Sequence, residues 1–561
     1  MRILIFHGYL LEGTGSNVYN ARLAAALVGL GHEVHLLCQE RHPERQPFVD
    51  AAGDWDGGAL QVRPLRGAQA GCTVYRPDIG GLLPVYVADR YEGVEARTFA
   101  RCSPAEVGRY IDANVAAVRE VAQLVRPDVA LANHLVMGPA ILARALEGVP
   151  YAVKVHGSAL EYTVKAEPER FLGFAREGLA KAQGVLVGSA HTARSLWDAL
   201  ADPELPARTR LGPPGVDVHR FRELPEEELR EAPERAARAL AGRLRAAAAV
   251  DRGTDASQSA FARDDLAAAH ALERFAELAH AEPPRPVAFV GKLIVSKGVD
   301  LLLAAWPLVL ERVPSATLLV VGFGAYRDAL ERLAAALAAG RLEEAIAIAR
   351  AGRALEQSAT ASGADSASLA TAGVTPAKGS GDAATATAPL RYLLAFLDGL
   401  EGERRDRYLL AARALPERAI FTGRLDHEEL AELLPACEAL VVPSTFPEAF
   451  GMVAAEAAAC GALPVSAAHS GLAEVSDALA RALPSEAASL LSFAIDERAV
   501  AALAECVAGW LLLDADVRSR ARGGLVATVR ERWSWEGVAG GVIAAAQGRL
   551  QQLPLADHSA R

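Results

Sequence analysis

The sequence predicts an α/β fold with two doubly wound domains, each a parallel sheet covered by helices on both faces. Three observations support this prediction. Short apolar runs of strand length alternate with segments of helical periodicity. The alternation begins twice, at residues 2–7 and again at residues 287–290. The chain has 561 residues, which is too long for one core of ordinary size.

The first domain is expected to cover residues 1–221. It opens with an apolar strand at residues 2–7, which a glycine-rich stretch at residues 8–15 follows. A helical pattern then leads to a second strand at residues 34–38, completing the strand–helix–strand unit of a doubly wound sheet. Later strands are predicted at 128–131, 151–155 and 184–187, with helices near 106–126 and 170–182.

The second domain is expected at residues 285–532, where the strand–loop–helix pattern resumes. Between the domains, residues 222–284 are rich in Ala, Arg and Glu and predict a helical and polar linker insertion. Residues 357–389 are almost all Ala, Ser, Thr and Gly. Such a segment buries too little apolar surface to offset its ordering entropy, so it is predicted to be a disordered insertion. Residues 533–561 predict a C-terminal helix and tail.

The composition excludes several classes of protein. Hydrophobic residues make up 51% of the chain and charged residues 23%, as in an ordinary folded soluble protein. The net charge of -11 argues against nucleic-acid binding as the main activity. The six cysteines show no disulfide or zinc-site spacing, which indicates reduced thiols in a cytoplasmic protein. The sequence has no uninterrupted run of about 18 apolar residues, so no membrane span is predicted.

The most specific motif is the segment PSTFPEAFGMVAAE at residues 443–456. It is predicted to join a strand to a helix, with Glu448 at the turn and Glu456 eight residues later. At ~1.5 Å per helical residue the two carboxylates are about 12 Å apart, which suits a ligand with a sugar at one end and a ribose at the other. The start of the helix between them offers N–H groups to a diphosphate, and Phe450, Gly451 and Met452 are donor-binding candidates.

A second motif, GKLIVSKGVD at residues 291–300, follows the predicted strand at 287–290. Lys292 and Lys297 stand five residues apart in the loop between this strand and the next helix. Two cations in such a loop can converge on one diphosphate. This segment therefore predicts a phosphate-binding loop.

Two motifs in the first domain are also candidates for ligand contact. Gly13 and Gly15, followed by Ser16 and Asn17, form a loop after the first strand where the backbone can approach a phosphate closely. His156 follows a predicted strand at the edge of a doubly wound sheet, where ligands of such sheets bind.

Together these motifs resemble those of the family 4 retaining glycosyltransferases, which have the GT-B fold of two Rossmann-like domains facing a cleft. The Glu-x7-Glu segment is similar to the family signature, and the resemblance implies that Glu448 contacts the donor sugar and Glu456 the ribose. It implies that Lys292 and Lys297 neutralise the leaving phosphate. Lys292 stands where the family usually has arginine, so a point charge replaces a two-pronged contact.

The resemblance also assigns roles in the first domain. It implies that Gly15 lies over the donor phosphates, that Ser16 and Asn17 lie on the acceptor side, and that His156 reaches the donor sugar. Weaker similarities follow in the same order at Gly215-Val216-Asp217, Gly322-Phe323-Gly324, residues 421–425 and residues 470–474, where Ser470 replaces the usual glycine.

The resemblance implies an enzyme that transfers a sugar from a nucleotide diphosphate, with retention of anomeric configuration. Glu448, His156 and Lys297 are its catalytic candidates. UDP is the default donor nucleotide because it is common in the family. The donor is expected on the second domain and the acceptor, a small molecule, glycan or lipid-linked sugar, on the first. No metal cofactor is expected, and the Asp-x-Asp spacing at 54–56 is placed in a glycine-rich loop and set aside.

Other function classes stay open on the residues alone. A dinucleotide-dependent oxidoreductase would use the glycines at 13 and 15 with Glu40 as its ribose acid, although Val18 stands where a third glycine is expected. A non-catalytic sugar-nucleotide-binding protein, an epimerase or a phosphorylase would share the architecture. Peripheral membrane contact also stays open through a group of arginines in one helical region, Arg97, Arg101, Arg109, Arg119 and Arg126.

Overall fold

The structure is a computed structural model that describes residues 1–12, 15–67, 71–86, 95–250, 264–281, 284–355 and 388–556. The chain forms two compact units, Met1–Gly215 with Trp533–Arg561, and Val216–Arg532. Within the described residues, no helix is long and apolar enough to cross a membrane.

The strands of the first unit are β1 (Arg2–Phe6), β2 (Glu33–Leu37), β3 (Ala51–Asp56), β4 (Ala59–Pro64), β5 (Cys72–Arg76), β6 (Leu82–Val85), β7 (Glu95–Thr98), β8 (Val129–Asn133), β9 (Tyr151–Lys154), β10 (Gly184–Val187) and β11 (Thr209–Leu211). Among the described residues, nine of them form one sheet in the order β11-β10-β9-β8-β1-β2-β5-β3-β4, and β6 pairs with β7. All neighbours in the large sheet are parallel except β3 and β4. The helices before residue 215 are α1 (Gly15–Gly29), α2 (Pro104–Val125), α3 (Gly138–Ala145), α4 (Gly157–Ala159), α5 (Pro168–Ala180), α6 (Ala190–Leu200) and α7 (Leu205–Arg208).

The second unit has strands β12 (Arg285–Val290), β13 (Ala316–Val321), β14 (Ala419–Gly423), β15 (Ala439–Val442), β16 (Leu463–Ala467) and β17 (Ser492–Phe493). They form a parallel sheet in the order β14-β13-β12-β15-β16-β17. Its helices are α8 (Ala232–Val250), α9 (Asp265–Ala281), α10 (Val299–Arg312), α11 (Arg327–Ala338), α12 (Leu342–Ala351), α13 (Arg391–Asp398), α14 (Gly402–Ala412), α15 (Leu415–Arg418), α16 (His427–Leu433), α17 (Met452–Ala459), α18 (Ser470–Ala480), α19 (Ser485–Ala488), α20 (Ala499–Leu512) and α21 (Ala515–Trp533).

The central strands are apolar runs because helices cover both faces of the sheet. In β1, Leu4 and Phe6 enter one buried cluster while Ile3 and Ile5 enter another, on the opposite face. This alternation follows from the two-residue period of a strand. It explains why residues 2–7 are detectable as a strand from sequence.

The C-terminal helix α22 (Trp535–Ala546) belongs to the first unit, although 317 residues of the second unit separate it in sequence from Gly215. Trp535 packs edge-on against Tyr19 of α1, with ring centroids 5.5 Å apart. Its ring and Ala539 are part of the buried cluster that also contains Ile3 and Ile5. The expected first domain at 1–221 is therefore completed by residues that the sequence assigns only to a helix and tail.

Asp54 and Asp56 lie in strand β3, so the prediction of a glycine-rich loop at these residues is wrong. Strand β3 pairs antiparallel with β4, and the turn between them is Gly57-Gly58, with positive φ at both residues. This pair of glycines supplies a two-residue hairpin turn, whose backbone twist matches that of the strands. Asp54 itself forms an ion pair with Arg76 at 2.8 Å.

The two predicted insertions have different outcomes. In residues 222–284, α8 and α9 pack against each other and within the second unit, where Arg243 of α8 forms two hydrogen bonds of 2.7 Å with Glu432. Of residues 357–389, all but the last two lie outside the described residues.

Candidate active site

Three loops of the second unit meet at one edge of its sheet. Strands β12, β15 and β16 are neighbours, and the residues that follow them are the loops before α10, α17 and α18. The carboxyl edge of a parallel sheet is where doubly wound domains bind ligands. Both strong sequence motifs lie at this edge.

The centre of the site is an ion pair between Lys297 and Glu448. Lys297 Nζ donates to Oε1 of Glu448, and Ser444 Oγ donates to the same oxygen at 2.7 Å. The side chains of Lys297 and Glu448 keep 30% and 25% of their surfaces exposed. The carboxylate is therefore held in one orientation while a ligand can still reach it.

The backbone of Glu448 is held by the start of α18. Its N–H donates to Ser470 Oγ at 2.9 Å, and its carbonyl accepts from the N–H of Gly471 at 2.9 Å. His469 lies between the loops, with Nε2 2.8 Å from the carbonyl of Ser444 and Nδ1 3.0 Å from Ser470 Oγ. Because a carbonyl only accepts, Nε2 carries the ring proton and Ser470 donates to Nδ1.

Ser470 adopts φ +52°, in the left-handed region that disfavours side chains. This conformation accounts for the glycine that the related motif usually has at this position. Here the hydroxyl offers a compensating contact, because it bonds both Glu448 N–H and His469. The departure at Ser470 is thus consistent with an intact loop.

Gly298 is required by close packing beneath the lysine loop. It has φ +66°, and a Cβ there would lie 2.0 Å from the carbonyl oxygen of Pro443. Thr445 N–H donates to the carbonyl of Ser296 at 2.9 Å across the same contact. The lysine loop and the glutamate loop are therefore joined through their backbones, which fixes Lys297 relative to Glu448.

Helix α17 begins later than expected, at Met452. Phe450 is buried and Gly451, with φ +123°, precedes the helix. Ala454 and Ala455 donate to the carbonyl of Gly451, and the first amides of the helix have no preceding turn to bond. The expected separation of about 12 Å between Glu448 and Glu456 assumes helical rise along the whole segment. Residues 448–451 are not helical, so that rise applies only from Met452 onward.

Glu456 lies inside α17 and is 4% exposed. Its Oε1 accepts from Nε2 of His427 at 2.9 Å, and the His427 ring meets Phe221 edge-on at 5.8 Å. The structure thus gives this carboxylate a histidine partner that the sequence does not indicate. Lys292 lies in the lysine loop between Gly291 and Leu293, with its side chain exposed.

The first-unit candidates lie at the carboxyl edge of the other sheet. Helix α1 begins at Gly15, so Ser16 and Asn17 lie in its first turn and not in the predicted loop, while their acceptor-side role stays a prediction. Asn17 is buried, and its Oδ1 lies 3.0 Å from His7 Nε2. Gly15 is exposed, while Gly13 lies outside the described residues.

His156 follows β9 and ends a buried chain of polar side chains. Its Nε2 lies 3.1 Å from Oδ1 of Asn133, whose Nδ2 donates to Asn20 Oδ1 at 2.6 Å. Asn20 in turn contacts His7 Nδ1 at 3.0 Å. The chain thus connects the ends of β1, β8 and β9 through helix α1.

Aromatic rings surround this chain. His134 lies 4.9 Å from the ring of His156, 4.5 Å from Tyr86 and 5.8 Å from His7, centroid to centroid. It is 1% exposed, has φ +67°, and neither ring nitrogen has a hydrogen-bond partner within the described residues. Tyr19 meets His156 edge-on at 5.2 Å.

Burial keeps these imidazoles neutral. It lowers the pKa of His7 to about 4 and the pKa of His134 and His156 well below the usual value. Burial also lowers the pKa of Lys154 to about 7. Its Nζ donates to the carbonyl of Gly212 and lies 5.4 Å from the centre of the Tyr19 ring.

Sequence reasoning missed several residues that hold the candidates in place. His7 directly follows β1 and Asn133 ends β8, so their position at the carboxyl edge of the sheet was a usable signal. Ser444 and His469 likewise follow β15 and β16. His427 starts a helix after β14, and nothing in its surroundings in the sequence marks it as a partner of the later glutamate.

The oxidoreductase alternative required Glu40 to bind a ribose, but this carboxylate already accepts hydrogen bonds from the backbone. Glu40 lies three residues beyond β2, where its Oε2 accepts from Leu11 N–H at 3.1 Å and its Oε1 from His42 N–H at 2.9 Å. The carboxylate is thus engaged in holding the loop after β1.

Two family models match the sequence. Residues 14–205 match the glycosyl transferase 4-like domain, and residues 386–507 match glycosyl transferases group 1. A comparison with curated proteins finds no match.

Solved structures with a similar fold include the sucrose-phosphate synthase of Thermosynechococcus elongatus, with a TM-score of 0.51, 17% identity and 98% of each chain covered. HepE of Anabaena, solved in complex with UDP, has a TM-score of 0.50 at 14% identity, covering 99% of this chain and 100% of its own. A glycosyltransferase of Rickettsia africae has a TM-score of 0.50 at 11% identity, covering 98% of each chain.

The two parallel-sheet units, the site at the carboxyl edge of the second sheet and these matches define the class. The chain is a glycosyltransferase with the GT-B fold. It belongs to family 4 of these enzymes.

Proposed function

We propose that this enzyme transfers a sugar from a UDP-sugar to an acceptor hydroxyl, with retention of anomeric configuration and without a metal ion. The observation that carries the proposal is the Lys297–Glu448 pair, held by Ser444 at the carboxyl edge of the second sheet. A fixed, partly exposed carboxylate can accept hydrogen bonds from sugar hydroxyls, and the neighbouring ammonium can donate to a phosphate.

The donor diphosphate is assigned to Lys297, Lys292 and the first amides of α17. Cleavage of the bond between sugar and phosphate places negative charge on the leaving diphosphate. Preorganised cations and helix amides stabilise that charge as it develops. These groups supply the positive charge that a divalent metal would otherwise bring, which is our reason for proposing metal independence.

The nucleoside end is assigned to Glu456. His427 donates to Oε1 of this buried carboxylate, and we assign Oε2 to the ribose hydroxyls. UDP is proposed as the nucleotide because it is common in the family that the motifs resemble, and HepE of Anabaena was solved with UDP. The acceptor is assigned to the first unit as a small molecule, a glycan or a lipid-linked sugar.

For retention we propose a front-face reaction. The acceptor oxygen forms its bond to the anomeric carbon on the face from which the phosphate departs. The proton of the acceptor hydroxyl passes to the leaving phosphate oxygen, so that the nucleotide leaves as the diphosphate and the electrons balance. Glu448 orients the sugar during this step.

We also propose that the enzyme works in the cytoplasm. All six cysteines are unpaired and buried, and burial raises the pKa of Cys38, Cys437 and Cys506. Buried thiols without disulfides are usual in a reducing compartment.

The test is turnover of a panel of UDP-hexoses by the full chain in excess chelator. We expect UDP release with at least one donor, and proton NMR of the glycoside formed with an added acceptor should show the anomeric configuration of the donor. Inversion would overturn the stereochemical proposal. Activity that vanishes in chelator and returns with magnesium or manganese would overturn metal independence.

A further inference from the structure

A chain of hydrogen bonds beneath His156 has a fixed direction. It links Asn17, His7, Asn20, Asn133 and His156, all in the first unit and all but His156 buried. Backbone carbonyls along the chain can only accept hydrogen bonds. They therefore decide which atom of each amide or imidazole is the donor.

The direction is set first at His7. Its Nε2 lies 3.0 Å from the carbonyl of Leu10, so Nε2 carries the ring proton. Nδ1 of His7 then accepts a hydrogen bond from Nδ2 of Asn20 at 3.0 Å. The same nitrogen donates to the carbonyl of Ser16 at 2.9 Å, which independently requires this orientation of the amide.

The orientation of the Asn133 amide follows from that of Asn20. Its Nδ2 donates to Asn20 Oδ1 at 2.6 Å and lies 3.4 Å from the carbonyl of Phe6. The amide oxygen of Asn133 therefore faces His156, with 3.1 Å between Oδ1 and Nε2. Since an amide oxygen only accepts, Nε2 of His156 must carry the ring proton.

We infer that His156 acts on its ligand as a hydrogen-bond acceptor through Nδ1, and that Asn133 is the positioning residue that fixes this tautomer. A lone pair on Nδ1 requires a hydrogen-bond donor opposite it. If the ligand is the sugar of the proposed function, it presents a free hydroxyl to His156. A fluorine or a carboxylate at that position cannot supply the proton.

The surroundings of His156 favour the neutral ring. Burial and the neighbouring groups His134, Lys154 and His7 lower its pKa well below the usual value. The Tyr19 ring lies edge-on at 5.2 Å. A neutral imidazole with its proton on Nε2 is thus the species present near neutral pH.

The first experiment measures the tautomer and needs no turnover. Imidazole nitrogen NMR of the full chain with ¹⁵N-labelled histidine, with the His156 signals assigned by His156→Gln, should show protonated Nε2 and bare Nδ1 at pH 7.5. Asn133→Ala should shift this tautomer balance. Asn114→Ala should leave it unchanged, because Asn114 is a buried amide of α2 that donates to the carbonyl of Tyr110 at 2.8 Å, outside the chain.

A proton on Nδ1 in the unaltered protein, or an unchanged tautomer in a folded Asn133→Ala variant, would overturn the inference. If Asn133→Ala does not fold, the spectrum of the unaltered protein still decides the tautomer.

The second experiment identifies the hydroxyl. Deoxyfluoro analogues of a turned-over UDP-hexose are compared by kcat/KM, since fluorine replaces a hydroxyl but donates no hydrogen bond. At the one position that faces His156, the loss in the unaltered enzyme should exceed the loss in His156→Ala by about tenfold, the value of one hydrogen bond, while at the other positions the two enzymes should lose equally. Equal losses in the unaltered enzyme and in His156→Ala at every position would overturn the acceptor role. If no donor is turned over, the proposed function fails, while the nitrogen spectrum still tests the tautomer.

Discussion

At the scale of single residues, the site depends on carboxylates whose surroundings differ. Glu448 is partly exposed and held by a lysine and a serine, whereas Glu456 is buried against one histidine. The first can respond to a reacting sugar. In the proposed function the second adds binding to the ribose, a distant part of the donor.

Changing each glutamate to glutamine should therefore alter different kinetic constants of the enzyme. Glu448→Gln should lower kcat, while Glu456→Gln should mainly raise KM, because contacts present only in the transition state appear in the rate. Lost hydrogen bonds to charged groups are worth roughly 1.5–3 kcal/mol, about tenfold to a hundredfold. Steady-state kinetics with one donor separates the two effects. An identical change in kcat and KM for both variants would show that the assigned roles are wrong.

Ser470 tests how the glutamate loop is held. Ser470→Gly relieves the positive φ but loses the hydroxyl, whereas Ser470→Ala loses the hydroxyl and keeps the strained backbone. Since left-handed φ costs a residue with a side chain roughly 1–2 kcal/mol, the alanine variant should be less stable than the glycine variant by about 1 kcal/mol. Urea unfolding compares them directly. Equal stability of the two variants would contradict a strained Ser470.

Asp300 should make stability depend on pH. It is 3% exposed in the first turn of α10, its Oδ1 has no hydrogen-bond partner within the described residues, and burial raises its pKa to about 7. Between pH 4 and 7 the unfolded chain ionises this carboxyl while the folded chain keeps it protonated. Stability therefore falls as pH rises through this window.

Asp300→Asn removes this titration without changing the shape of the side chain. The stability gained by the variant should be near zero at pH 4 and grow to at most about 4 kcal/mol by pH 8, from about three pKa units at 1.36 kcal/mol each. Urea unfolding of both proteins across this range measures the difference. A difference that does not change with pH would contradict the raised pKa.

At the scale of elements, strands buried on both faces could be predicted from sequence and irregular ones could not. Strand β1 and the strands that start the second sheet are apolar runs, whereas β4 has mostly exposed residues and its partner β3 carries two aspartates. The pairing of β3 with β4 depends on a glycine turn rather than on an apolar pattern. That is why this hairpin was predicted as a loop.

The candidate site could likewise be predicted only in part. The lysine and glutamate motifs stand in continuous stretches, so Lys297 and Glu448 could be assigned from sequence. Their supports, Ser444 and His469, come from the ends of different strands, and only the folded sheet brings them together. The amide chain beneath His156 was missed for the same reason.

Helix α22 completes the first unit, and Trp535 tests its contribution. The ring is 7% exposed and packs on Tyr19 in the shared buried cluster. Trp535→Ala should cost roughly 3–5 kcal/mol of unfolding free energy, because it removes a large buried ring. Leu124→Ala is the control: Leu124 is 62% exposed and its loss should cost less than about 0.5 kcal/mol. A Trp535→Ala change as small as that of the control would show that the helix does not complete the core.

At the scale of the whole molecule, the chain has two parallel-sheet units with polar groups at the carboxyl edge of each. The second unit carries the cations and carboxylates suited to a nucleotide-sugar, and the first carries a neutral amide and imidazole chain. This division agrees with a GT-B glycosyltransferase, whose donor and acceptor are assigned to different domains. The central claim is that Lys297 acts on the leaving phosphate of the donor.

The most direct measurement of this claim is the turnover of one UDP-sugar by Lys297→Ala. The control is Lys165→Ala, which breaks a surface pair of the same type, since Lys165 bonds Glu161 at 2.7 Å with both side chains more than 40% exposed. Lys297→Ala should lower kcat by about 10²–10³ with normal folding, because one preorganised charge opposite the leaving group is lost. Lys165→Ala should keep the activity of the unaltered enzyme. Near-normal kcat in a folded Lys297→Ala variant would contradict the account.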